Sequence, residues 1–90
     1  QKLLLLALAR SLADRKEAVF LPIEEVEEAY NVVCEEYSKQ PVGRVMLHAL
    51  ASELKAAGII VIDSNFRLGL DGVKAEVMER FLEKLLGRGR

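Results

Sequence analysis

Arg44, His48, Ser52 and Lys55 are spaced by four, four and three residues, so a helix through them presents one flank of hydrogen-bond donors. The planar guanidinium of Arg44 suits a bidentate contact with guanine or a salt link to phosphate. His48, one turn on, can reach a base edge or a phosphate, and Ser52 and Lys55 suit phosphate. Gly43 and Val45 flank Arg44 where such a helix would open. Arg67 adds a second guanidinium, suited to a minor groove or a phosphate backbone, and Asn65 beside it also suits a tight turn. The four carboxylates of Glu24, Glu25, Glu27 and Glu28 have no nucleophile beside them; at the start of a helix they read as a solvated face favoured by the helix dipole. The single cysteine, Cys34, and the single histidine exclude an intramolecular disulfide framework and a Cys/His zinc site. No phosphate-binding glycine loop is present, and none of these residues makes an enzyme.

Ninety residues fit one domain, and with 51% apolar and 30% charged residues the chain can bury a compact aliphatic core. The longest strongly apolar run, from Leu3 to Ala9, is far short of the roughly 20 residues that span a bilayer, so no membrane partner is expected. Arg10, Asp14, Arg15 and Lys16 follow it where a signal peptide would need small residues. The chain opens on Gln1 and is expected to be a piece of a longer polypeptide. The net charge of −1 is unevenly spread. Residues 1–16 carry four bases and one acid, residues 17–36 seven acids and no base, and residues 38–90 nine bases and six acids. An anionic partner should therefore meet the regions around the acidic middle rather than the middle itself.

The elements that position these side chains follow from apolar periodicity. Residues 1–13 form a helix with leucines around most of its circumference, the pattern of a central helix. Val19-Phe20-Leu21 is a short edge strand stopped by Pro22. A second helix starts after Pro22, with Ile23, Val26, Tyr30, Val33, Cys34 and Tyr37 on one stripe, and ends at Ser38-Lys39-Gln40-Pro41. With Pro41 near its start, a third helix runs to about Ala57 on Leu47, Leu50, Ala51, Leu54 and Ala57, and stops at Gly58. Residues 59–62 and 66–70 read as a hairpin around Asp63-Ser64-Asn65. Asp71 is placed to cap a fourth helix, whose apolar stripe is Val73, Val77, Phe81 and Leu85 with Met78 and Leu82 beside it. This order gives an α+β, mostly helical fold: a winged helix-turn-helix with a three-helix core, a short hairpin wing and a C-terminal helix. The third helix is then the recognition helix. The domain is expected over residues 1–86, with a flexible basic tail over 87–90.

Three stretches carry a family resemblance. Leu3-Leu4-Leu5-Leu6-Ala7-Leu8-Ala9-Arg10 resembles an "LLALAR" opening. Val26-Glu27-Glu28-Ala29-Tyr30 with Val33-Cys34-Glu35-Glu36 is similar to a "VYEEYRRLCEE" second helix. Pro41-Val42-Gly43-Arg44, Leu50-Ala51-Ser52-Glu53-Leu54 and Gly58-Ile59-Ile60 resemble a "PLSR…YLSELE..GLI" stretch. Together these resemble the archaeal replication initiators, relatives of the eukaryotic origin recognition complex and its helicase-loading partner. The resemblance implies a C-terminal winged helix following an AAA+ ATPase module, with origin duplex DNA as partner and a helicase or another initiator as further partners. It also implies that the third helix enters the major groove and the wing rests on the minor groove. ATP and Mg would belong to the parent's ATPase module, with no cofactor in these residues. The implied location is cytoplasmic, on the nucleoid. Two features depart from the family: only Arg44 is basic where the third helix opens, followed by Val45 and Met46, and the wing reads Asp63-Ser64-Asn65-Phe66-Arg67 in place of a Gly/Arg-rich tip. They give weight to an alternative, a winged helix that contacts protein within a replication or transcription assembly.

Overall fold

The computed structural model describes residues 2–15 and 18–87, so the basic tail lies, from residue 88 on, outside the described residues. The element order is α1 (Lys2–Asp14), β1 (Leu21–Pro22), α2 (Ile23–Glu36), α3 (Arg44–Ala56), β2 (Ile60–Ile62), β3 (Arg67–Leu70) and α4 (Ala75–Leu85). The three strands form one antiparallel sheet in the order β1-β3-β2. This is the expected winged helix, with α1 at its centre. Leu4, Leu5, Leu6, Leu8 and Leu12 are all buried, and α1 packs against α2, α4 and β3. A helix enclosed on several sides needs apolar residues around its whole circumference, which accounts for the leucine run. Val26, Val33 and Cys34 of α2, Leu47, Ala51 and Leu54 of α3, and Ile60 and Leu68 of the sheet complete the core.

Four boundaries differ from the sequence reading. β1 is a two-residue bridge that includes Pro22, paired with Arg67; as an edge strand it tolerates the missing N–H. The connection between α2 and α3 covers residues 37–43, longer than the Ser38–Pro41 turn, and α3 starts three residues after Pro41, behind Gly43 as an extended N-cap. The buried Tyr30 hydroxyl accepts a hydrogen bond from the Val42 N–H at 3.2 Å and anchors this segment. Asp71 does not cap α4. Lys74 occupies the N-cap position without a side-chain cap, and the Asp71 N–H is held by the Ile59 carbonyl at 3.2 Å. The largest difference is in α4 itself. Val73, Val77, Phe81 and Leu85 are exposed, whereas Leu82 is buried and Ala75, Met78 and Leu86 pack partly against the core. The core-facing stripe of α4 is therefore the neighbouring one.

Arg10 joins three helices through carboxylates: Glu36 of α2 at 2.8 Å, and Glu83 and Glu79 of α4 at 3.0 and 3.6 Å. Burial works against the Arg10 charge, but its bonds to Glu83 and Glu36 outweigh it and hold the guanidinium protonated. Glu79 is in the opposite position. Burial, together with the charge of Glu83, pushes its carboxyl above the usual range against the pull of Arg10. A raised carboxyl favours the fold when protonated, so that contribution is present below the ordinary range and lost as pH rises through the folded value. At neutral pH, Glu79→Gln is expected to leave stability within about 0.5 kcal/mol of the parent, on the stabilising side. Glu83→Gln, which breaks a charged hydrogen bond, is expected to cost about 1 kcal/mol. Urea unfolding of both variants at neutral pH and near pH 4 checks the ordering, and the advantage of Glu79→Gln should vanish in acid.

Candidate nucleic-acid interface

α3 and the β2–β3 hairpin carry the sequence-predicted residues. The helix begins at Gly43, an extended N-cap without a side-chain cap, and ends at Gly58, whose φ of +78° suits glycine. Leu47, Ala51 and Leu54 anchor it to the core. At 3.6 residues per turn, Arg44, His48, Ser52 and Lys55 share one flank. The side turned away from the core carries Val45, Ala49, Ser52 and Ala56, all exposed, with Val45 at 87%. The outermost strip of α3 is thus small and almost uncharged, with Arg44 and Lys55 along its edge. A small-residue strip permits close approach to another surface, and a valine methyl can meet a thymine methyl.

The structure gives Arg44 and Arg67 partners that periodicity did not supply. Arg44 donates to Oε1 of Glu27 through both Nε and Nη2, at 3.3 and 2.9 Å, which ties the start of α3 to α2. Arg67 donates through Nε to Oδ2 of Asp63 at 2.7 Å, and its guanidinium carbon lies 5.9 Å from the Phe20 ring centroid. Asp63 also accepts the backbone N–H groups of Arg67 and Asn65, at 2.9 and 3.0 Å. The Arg67 N–H leads the causes that hold the Asp63 carboxyl below its usual range, with the Arg67 side chain and the Asn65 N–H adding to it against some burial. Asn65 is exposed at the turn and takes part through its backbone.

His48 is half-buried, its ring centroid 4.5 Å from that of Phe66, so it links α3 to the wing instead of standing free. Phe66 closes the hairpin turn with φ +56°, an uncommon conformation for an aromatic residue. The structure therefore brings Arg44, Val45, His48, Ser52 and Lys55 together on α3, with Gly43 as its N-cap, and the wing bearing Asn65 and Arg67 meets α3 through the His48–Phe66 ring contact and the packing of β2. Sequence reasoning missed the roles of Glu27 and Phe66. Glu27 stands 17 residues from Arg44 and looks like any other glutamate of the acidic segment.

Among the described residues no helix is long and apolar enough to cross a membrane. The profile of the family described as CDC6, C terminal winged helix domain, matches residues 1–70. The crystal structure of Cdc6p from Pyrobaculum aerophilum is similar to this chain, with a TM-score of 0.84 and 30% identity over 98% of it. The matched part is 23% of that protein's chain, so the present chain spans under a quarter of the length of that neighbour. No curated protein matches the chain. With α1 through α4 and the hairpin in place and the profile covering most of its length, the chain belongs to the CDC6 C-terminal winged-helix family.

Proposed function

We propose that this domain binds double-stranded DNA as the C-terminal module of a replication initiator, with α3 in the major groove and the β2–β3 hairpin on the adjacent minor groove. The carrying observation is the exposed outer strip of α3, small and almost uncharged, edged by Arg44 and Lys55 and braced against the wing by His48 and Phe66. Val45 and Arg44 are the base-reading candidates, and Ser52, Lys55, Asn65 and Arg67 position the duplex through phosphate or groove-edge contacts. Membership of the CDC6 family supports replication origins as the target and an AAA+ module, with its ATP and Mg, in the parent.

Each arginine reaches DNA only by leaving or sharing a carboxylate, and that sets modest affinity. The salt dependence should correspond to about two to four phosphate contacts. Arg44→Ala is expected to weaken binding to a preferred site about tenfold and binding to random duplex less. Glu27→Gln frees Arg44 and removes a negative charge beside the duplex, and should raise random-duplex affinity by roughly threefold or more. Fluorescence anisotropy with labelled origin and random duplexes at several salt concentrations measures all three. Equal losses on both duplexes for Arg44→Ala would restrict Arg44 to phosphate. The exposed Val42, Val45 and Met46 favour a second reading, a protein-contacting winged helix, and absence of binding to either duplex at low salt would select it.

A further inference from the structure

The outer face of α4 has no role in the core or in the proposed DNA interface. Val73, Val77, Phe81 and Leu85 follow one another at intervals of four and are 42, 51, 59 and 53% exposed. On a helical projection Val77, Phe81 and Leu85 occupy an arc of about 80°, away from Leu82 and Ala75, which face the core, and Val73 stands just before the helix. Val19, 68% exposed, lies beside the N-terminal end of this stripe, across a cleft also lined by Leu12, Leu70 and Val73. Three large apolar side chains on one helix face, continued by Val73 just before its N-cap, are the pattern of a surface that is covered when it works.

The charges around the stripe are sorted by sign. Glu79 and Glu83 turn toward Arg10 at 3.6 and 3.0 Å and are engaged there. Lys74, Arg80 and Lys84 stay exposed around the stripe and make no ion pair among the described residues, with Asp71 and Glu76 the exposed acids nearest them in sequence. We propose that this face docks an acidic amphipathic helix of a partner protein, its apolar side on Val77 and Phe81 and its carboxylates on Lys74, Arg80 and Lys84. Lys74 at the N-cap and Lys84 near the last turn stand about 15 Å apart along the axis, at the two ends of the stripe. Discrete carboxylates two to three turns apart on a partner helix can meet both. The α2 face of a second copy offers Glu24, Glu28 and Glu35 but only Val32 as a large exposed apolar side chain, too little to cover Phe81 and Leu85. The proposal stands independently of DNA binding, because α4 packs on α1 while α3 and the hairpin form the other surface.

The probe is a fluorescein-labelled synthetic peptide of about five helical turns, with leucine at core spacing and glutamate on both flanks. A matched peptide carries lysine in place of glutamate. The chain should bind the acidic peptide, and the lysine peptide should bind at least about tenfold more weakly. Val77→Ser with Phe81→Ser should abolish binding, and Lys74→Glu with Lys84→Glu should reverse the preference between the two peptides. All four positions are exposed, so thermal unfolding of both variants should match the parent and show that folding is intact. Absence of binding to the acidic peptide, or equal binding by parent and variants, overturns the proposal. Binding only to vesicles of mixed phosphatidylcholine and phosphatidylglycerol overturns it in favour of a lipid surface. A dimer in sedimentation that the serine variant disperses overturns it in favour of a second copy.

Discussion

Leu6→Ala is expected to lower the unfolding free energy by about 2–5 kcal/mol, the largest single-site effect foreseen here. Leu6 has no solvent exposure, and its helix is enclosed by α2, α4 and β3. Three packed neighbours cannot all collapse onto the space left by the lost side chain, so the cavity term adds to the lost transfer energy. A domain of this size has a total stability of roughly 5–15 kcal/mol, so the change removes a large share of it. The corresponding drop in Tm should exceed about 10 °C. Leu85→Ala is the matched control. Its side chain is 53% exposed on the outer face of α4, and the cost should stay within about 1 kcal/mol. Chemical denaturation of the two variants side by side measures the difference. Similar losses at both sites would mean that α1 is not the centre of the core.

Gly69→Val should cost about 2–4 kcal/mol and act first on the wing. Gly69 lies in the middle strand of the sheet, opposite Val61. A Cβ added there would stand 2.6 Å from the Val19 carbonyl oxygen and 3.1 Å from the Phe20 ring. Backbone cannot yield as a long side chain can, so the segment leading into β1 must move outward. That movement strains the pairing of Leu21 with Leu68 and begins to uncover Leu21, which is only 2% exposed. It also carries Phe20 away from the Arg67 guanidinium. Gly69→Ala meets the same carbonyl with less bulk and should fall between the parent and the valine variant. Thermal unfolding gives the order of the three, and amide exchange across residues 60–70 shows whether the sheet loosens before the helices.

On the proposed DNA-binding reading, two exposed arginines, each bonded to a carboxylate, would discriminate by requiring an exchange. Random phosphate offers one charged contact for the one given up, and a matched base edge offers a second hydrogen bond in fixed geometry. Glu27 and Asp63 would then bear on specificity as well as on stability. Under the proposed reading, a chain of net charge −1 with seven acids in residues 17–36 would meet DNA through α3, whose Arg44 is paired to Glu27 of the acidic helix.

Local and periodic signals in the chain determined much of this protein. The leucine run of residues 3–8 identified the central helix, since only an enclosed helix keeps apolar side chains on nearly every face. The stripe from Ile23 to Tyr37 determined α2, and Gly58 and the Asp63-Ser64-Asn65 turn determined where α3 stops and the hairpin bends. The donor flank from Arg44 to Lys55 was legible because helical spacing follows from residue number alone. Tertiary structure decided which of two adjacent apolar stripes of α4 meets α1. Both stripes satisfy the helical period, and the packing of α4 on α1 buries Leu82 and leaves Phe81 exposed. It also decided that Arg44 pairs with Glu27 and Arg67 with Asp63, and that His48 rests on Phe66. The Arg44 and His48 contacts join residues 17 and 18 positions apart, set by how α2, α3 and the wing pack and invisible to periodicity. The Arg67 contact spans only four positions, but it forms because the turn folds Asp63 back onto the N–H groups of Asn65 and Arg67.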